Sequence, residues 1–382
     1  MRLSLVLWDG NVGGAEKITA ELAGGLRAMG VAPTVVFVRD PKTLAGDLDR
    51  VGVPYVSFGA RRVEEVLRRP RRFARLVQEH GPDGALLPTV GHLAPALRLG
   101  GYRRPIVAME HGFLLLIDEM SPQWRLARRL ERRLSVPFID AQVGVSTFIR
   151  DRMLAMPHAR RVDVIENGID LERYTSAEPA ERGECVFAFA SRLIATKGAA
   201  ELIEAFARVA GERGHDSVRL RIAGDGPERP RIAELVERHG VADSVELAGV
   251  VADMPAFWRD ADVAVMPSTA PESFGMVALE GMASGRPVVA TRNGGADDLV
   301  EDGVSGRLVP CGDIDALAAA MLAYASDPEL RREHGRAGRA RCESDFTMSR
   351  CAHRYADLLA SLGGRQPVSY TPAEAPLEEV HV

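Results

Sequence analysis

Leu3-Ser-Leu-Val-Leu-Trp8-Asp-Gly10-Asn-Val-Gly13-Gly14-Ala-Glu-Lys-Ile18 begins as an apolar run, breaks at glycines and restarts with helical spacing. A parallel strand covered on both faces reads as a nearly continuous apolar run, so Leu3–Trp8 predicts a buried first strand. Beyond the loop, Ile18, Leu22, Leu26 and Met29 fall on one side of a helix, and Gly30 ends it. Thr34–Val38 predicts the next strand. Strand, glycine turn, helix and strand make one crossover unit of a parallel α/β sheet.

The alternation continues along the chain. Gly84–Leu87, Ile106–Met109, Ala141–Val145 and Val162–Ile165 predict further strands, and Asn167-Gly168-Ile169-Asp170 predicts a turn. Residues 173–184 are polar, contain Pro179 and Gly183, and read as a linker. A second series then follows: Cys185–Ala190, Arg219–Ile222, Ser244–Leu247, Val263–Met266 and Pro287–Ala290. Two doubly wound domains are expected, over 1–172 and 185–347, with a cleft between them. A last helix, 348–362, is expected to cross back to the first domain, and 363–382, with Pro367, Pro372 and Pro376, reads as a mobile tail.

With 382 residues, 46% hydrophobic and 26% charged, the chain is that of a soluble protein with room for two cores. No run approaches the ~20 apolar residues of a membrane span. Met1–Asp9 is too short for a secretory leader and lacks a small-residue cleavage site, and the cysteine pattern makes a reducing cytoplasm the expected compartment. Cys185, Cys311, Cys342 and Cys351 are widely spaced and suggest neither a zinc site nor a disulfide framework.

Residues 1–175 hold 26 Lys+Arg against 20 Asp+Glu, and the remainder 22 against 33. The basic excess sits in Arg61–Arg75 and Arg125–Arg133. A nucleic-acid partner is not expected, because the chain is acidic overall and the arginines are not interleaved with aromatics. Three readings stand: peripheral contact with an anionic membrane, contact with an acidic acceptor, or a solvated helix face. Nothing in the sequence fixes an oligomeric state.

The chemistry-bearing residues follow the strands, at the edge where open parallel sheets bind ligands. In Pro267–Glu280, Glu272 lies in a loop and Glu280 eight residues on, inside a predicted helix. Helical rise puts them roughly 8–12 Å apart, the span of a diphosphate between two sugars. Ser273, Phe274, Gly275, Met276 and Val277 lie between them, where a helix begins and backbone amides suit anions. Arg192 and Lys197 follow Cys185–Ala190, a planar fork and a movable charge for one pyrophosphate, or a surface ion pair. Lys197 is the only lysine after position 175. Gly224-Asp225-Gly226-Pro227 and Asn293-Gly294-Gly295 predict turns at the same edge, and Gly13-Gly14 a helix N-terminus open to phosphate. The spacing Gly10-x-x-Gly13-Gly14 lacks the dinucleotide fingerprint. His111 follows Ile106–Met109, either as a donor to a sugar or phosphate oxygen or as a structural histidine; Ser146 is a weaker candidate. Asp47-Leu-Asp49 and Asp313-Ile-Asp315 both read as helix starts, so no metal site is expected.

The order Gly13-Gly14-Ala-Glu16, His111, Asn167-Gly168-Ile-Asp170, Ser191-Arg192…Lys197-Gly198, Gly224-Asp-Gly-Pro, Glu272-Ser-Phe-Gly…Glu280 and Asn293-Gly294-Gly295 resembles the retaining glycosyltransferases of family 4. The resemblance covers about residues 1–360. It implies the GT-B fold, two Rossmann-like domains facing a central cleft, the first on the acceptor side and the second holding the donor. It further implies Arg192 and Lys197 on the donor diphosphate, Glu272 on the transferred hexose and Glu280 on the ribose. The Phe274, Gly275 and Met276 amides would meet the sugar, the Gly13-Gly14 loop the phosphate, and His111 the sugar or leaving phosphate. No cofactor is implied beyond a nucleotide diphosphate sugar as co-substrate, UDP- or GDP-linked, and the acceptor hydroxyl is left open among small molecules, natural products and lipids. The rivals are a nucleotide-sugar epimerase or phosphorylase on the same fold, a nicotinamide oxidoreductase and a silent sugar-nucleotide sensor.

Overall fold

The structure, a computed structural model, describes residues 1–11, 13–88, 91–112, 121–156, 161–176 and 183–366. Much of the expected linker (177–182) and tail (367–382), and Val12 of the glycine loop, lie outside the described residues.

Two parallel sheets organise the chain. In the first, β1 (Arg2–Leu7), β2 (Ala32–Phe37), β3 (Tyr55–Ser57), β4 (Gly84–Pro88), β5 (Ile106–Glu110), β6 (Ala141–Gly144) and β7 (Val162–Val164) lie in the order β3-β2-β1-β4-β5-β6-β7. In the second, β8 (Cys185–Ala190), β9 (Val218–Ala223), β10 (Val245–Gly249), β11 (Val263–Met266), β12 (Val288–Arg292) and β13 (Gly306–Pro310) lie in the order β10-β9-β8-β11-β12-β13. Both orders reverse beside their first strand, at β1/β4 and at β8/β11. Loops diverge at such a switch point and leave a crevice beyond the strand ends. The result is two Rossmann-like α/β units, each a doubly wound parallel sheet.

Each sheet is covered on both faces, which is why β8 and β11 are buried at every position. Phe187, Phe189, Leu202, Phe206, Val263 and Val289 build one core of the second sheet. Leu3, Leu5, Leu7, Leu22 and Leu26 build one core of the first. The helix Met348–Leu362 adds Met348, Cys351, Tyr355 and Leu359 to that same core. It packs on the helix Gly14–Ala28 so closely that a Cβ on Gly25 would stand 2.9 Å from Met348 Cγ. The last described helix therefore caps the sheet that begins at residue 2.

One expectation is corrected. Neither Asp47 nor Asp49 caps a helix: the helix runs Leu44–Arg50 and begins after Thr43, with Asp47 in its first turn and Leu44 and Leu48 buried on its inner side. Burial of these leucines outweighed the capping preference of the aspartates. Asp313 does cap its helix, accepting from Ala316 N at 2.9 Å.

Candidate active site

The cleft is built at the ends of β1, β5, β8 and β11 and has a volume of about 230 Å³. Its walls include Gly14, His111, Asn167, Ser191, Lys197, Ser268, Glu272, Ser273, Phe274, Gly275, Met276 and Val277. Two helices point their N-termini into it. The helix Gly14–Ala28 starts after Gly13, whose extended backbone leaves the first amides free of any side-chain cap. The helix Met276–Ala283 starts after Gly275, which holds φ at +104°, a left-handed geometry that only glycine adopts readily. Neither cap uses a side chain, so the first-turn amides and the positive dipole ends face the cleft.

Lys197 lies at the end of the turn Ala195–Lys197, and Gly198 then turns left-handed at φ +75° to start the next helix. Lys197 Nζ donates to Glu272 Oε1 at 2.5 Å, and Ser268 Oγ donates to the same oxygen at 2.5 Å. The loop around Glu272 is fixed from below: Glu272 N donates to Asn293 O at 3.1 Å, and Gly295 N donates to Glu272 O at 2.9 Å. Asn293 Nδ2 donates to Ser268 O and Ala270 O at 2.7 and 2.8 Å. The Asn293-Gly294-Gly295 turn thus braces the loop that carries Glu272, with no room for a Cβ at Gly295 against Phe274.

His111 reaches the cleft from the end of β5, and both ring nitrogens are buried with no hydrogen-bond partner among the described residues. Burial pushes its pKa down to about 4, so the ring is neutral near pH 7 and offers one donor and one acceptor. A buried polar group without a partner costs ~1–3 kcal/mol, and a ligand oxygen entering the cleft would remove that cost.

Four expected site residues do not line the cleft: Gly13, Arg192, Gly224 and Glu280. Arg192 is exposed on the turn after Ser191. Gly224, at φ +126°, crowds the Ser191 carbonyl, so its role in the fold is a close approach of backbone. Glu280 accepts from Trp258 Nε1 at 2.9 Å and is bonded to Tyr174. Desolvation raises its pKa to about 7, against the smaller effects of the Trp258 bond and the nearby Lys17. Glu21 is raised too, by its own burial ahead of the opposing Arg173 charge. Sequence reading missed Tyr174, Trp258 and Ser268, because only the folded chain brings them to the glutamates, and it quoted Asn167 only within a motif, whereas the structure puts it on the cleft wall.

Ser146 Oγ donates to Ser273 O at 2.6 Å, tying the end of β6 to the Glu272 loop. Beside it, Thr147 donates from N and Oγ1 to both oxygens of Asp298, each at 2.6 Å. Among the described residues, no group of three or more His, Cys, Asp or Glu could hold a metal ion.

Residues 12–173 match the family model Glycosyltransferase Family 4, and residues 184–327 match Glycosyl transferases group 1. The chain is 31% identical over 311 residues to a Mycobacterium tuberculosis GDP-mannose-dependent alpha-(1-6)-phosphatidylinositol monomannoside mannosyltransferase, covering 75% of this chain and 78% of that protein. It is 32% identical over 240 residues to a glycogen synthase of the same organism, covering 61% of this chain and 57% of the relative. The match thus spans little more than half the length of that synthase. A crystal structure of Anabaena Alr3699/HepE in complex with UDP superposes with a TM-score of 0.81 at 26% identity, covering 94% of this chain and 100% of that one. The chain belongs to family 4 of the glycosyltransferases, with the GT-B architecture.

Proposed function

We propose that the protein is a cytoplasmic, retaining, metal-independent glycosyltransferase that moves a hexose from a UDP- or GDP-linked donor to an acceptor hydroxyl. The reading rests on the cleft. Two helix N-termini, one from each sheet, meet there beside an ammonium, a carboxylate and an unpartnered neutral imidazole. That set suits a diphosphate joined to a polyhydroxylated ring. A relative described as GDP-mannose-dependent and a structural neighbour holding UDP support the donor class.

In this reading Lys197 and the amides at Gly14 and at Gly275–Val277 take the diphosphate, with exposed Arg192 swinging in from the rim. Glu272, already oriented by Lys197 and Ser268, accepts from sugar hydroxyls. Glu280 accepts from the ribose once its bond to Trp258 or Tyr174 is exchanged. The C1–O bond to phosphate breaks while the acceptor oxygen bonds C1 on the same face. The acceptor's proton passes to the departing phosphate oxygen, and the nucleoside diphosphate leaves. Charge grows on that oxygen in the transition state, so fixed amides and Lys197 supply the main catalytic stabilisation.

The acceptor hydroxyl belongs to a small molecule, a natural product or a lipid, and the two Arg-dense stretches support peripheral contact with an anionic surface. Proton NMR of donor hydrolysis tests the stereochemistry without an acceptor. The first sugar released should carry the anomeric configuration of the donor, and the opposite anomer would refute retention.

A further inference from the structure

The helix Pro122–Ser135 is turned inside out. A surface helix ordinarily sends its leucines to the core and its charges to water. Here Arg128, Glu131, Arg132 and Ser135 face the protein. Arg128 pairs with Glu131 at 2.6 Å, Arg132 approaches Glu110 at 3.8 Å, and His92 approaches Glu131 at 3.5 Å. The opposite side carries Leu126, Leu130 and Leu134, which are 60%, 49% and 66% exposed. Their four-residue spacing makes a stripe ~12 Å long. Trp124, 65% exposed, stands at its start, and exposed Arg129 and Arg133 flank it.

The helix carries five arginines against one glutamate, so the apolar stripe is set in positive charge. A protein partner of ordinary composition would match the leucines or the arginines. An anionic bilayer matches both: acyl chains take the leucines, headgroup phosphates take the guanidinium groups, and an interfacial tryptophan anchors one end. We propose that this helix docks the protein on an anionic membrane surface, lying in the interface with its leucine stripe entering the headgroup–acyl boundary.

The helix also packs against the end of β5, the strand that leads to the cleft. Arg132 reaches Glu110, and His111 is the next residue in the chain. Docking would therefore bring the first-sheet side of the cleft to the membrane, and, resting on the transferase reading above, it favours a lipid or lipid-linked acceptor.

The test is flotation of the full chain with vesicles of equimolar phosphatidylglycerol and phosphatidylcholine, and with pure phosphatidylcholine. The wild type should float with the mixed vesicles only, and added salt should weaken it. The variant Leu126→Gln/Leu130→Gln/Leu134→Gln should lose at least ~10-fold in partitioning. These side chains are exposed, so its thermal shift with nucleotide should match the wild type. Trp124→Phe should float but lose the blue-shifted fluorescence that membrane entry produces. A wild type that stays with the buffer overturns the proposal, as does a triple variant that floats equally well or equal flotation on uncharged vesicles. So does light scattering that shows a dimer broken by the triple variant, since the stripe would then be an interface between copies. Failure of flotation with an intact nucleotide shift removes the docking alone; loss of the nucleotide response would remove the transferase reading instead.

Discussion

Replacing Lys197 by alanine removes the ammonium that holds Glu272 and that meets the departing phosphate in the proposed reaction. The pair is close, Nζ to Oε1 at 2.5 Å, and its side chains are 29% and 15% exposed. At an effective dielectric near 20, a charge ~4 Å from the growing phosphate charge is worth ~4 kcal/mol. Partial exposure of the lysine screens some of this, leaving ~2–3 kcal/mol of transition-state stabilisation. That corresponds to a ~100-fold fall in kcat/KM. The assay is release of nucleoside diphosphate from the donor, with urea unfolding of the same preparations as a control. Ser268 still bonds Glu272 in the variant, so the loop should stay folded and the loss should lie in turnover. Lys197→Arg should recover part of the rate, because charge is kept but the compact geometry is not. A Lys197→Ala enzyme that turns over within about threefold of wild type would refute the assignment.

Glu280, with its pKa raised to about 7, binds a proton in the folded chain at pH values where the unfolded chain, at 4.5, has released it. Its charging should therefore cost stability as pH rises from about 4.5 to 7, up to ~3 kcal/mol, and Glu280→Gln should flatten that slope in urea titrations of the free protein. Gly14→Ala finds nothing within 4 Å of the new Cβ, so it should fold as well as wild type yet lose at least ~10-fold in donor turnover if phosphate sits on that backbone. Asp298→Ala leaves the Thr147 amide and hydroxyl without their shared acceptor and should destabilise by ~1–3 kcal/mol in urea melts.

How much of this was legible in the sequence depends on whether a signal was local. Cys185–Ala190 and Val263–Met266 were read with their bounds because fully buried parallel strands are unbroken apolar runs. Tyr55–Ser57 and Gly306–Pro310 were missed. Both are edge strands, the first only three residues long and the second alternating buried and exposed, and neither stands out from a loop. The Glu272 loop and the glycines that open the two cleft helices were found because their pattern is contiguous. Lys197 was read together with Arg192, yet its partner Glu272 lies 75 residues away and only the fold reveals that pair. The arginines of Pro122–Ser135 were visible too, but which side of that helix meets the protein is set by Glu110 and His92, which sequence order does not place.

A thermal-shift series with UDP, GDP, ADP and dTDP, each alone and with its common sugars, tests the donor site most directly. At about 100 times its dissociation constant, the nucleotide that fits should stabilise the protein by ~2.7 kcal/mol, and the shift should shrink in Lys197→Ala. Stabilisation by NADH or NADPH with no response to any nucleoside diphosphate would contradict the account.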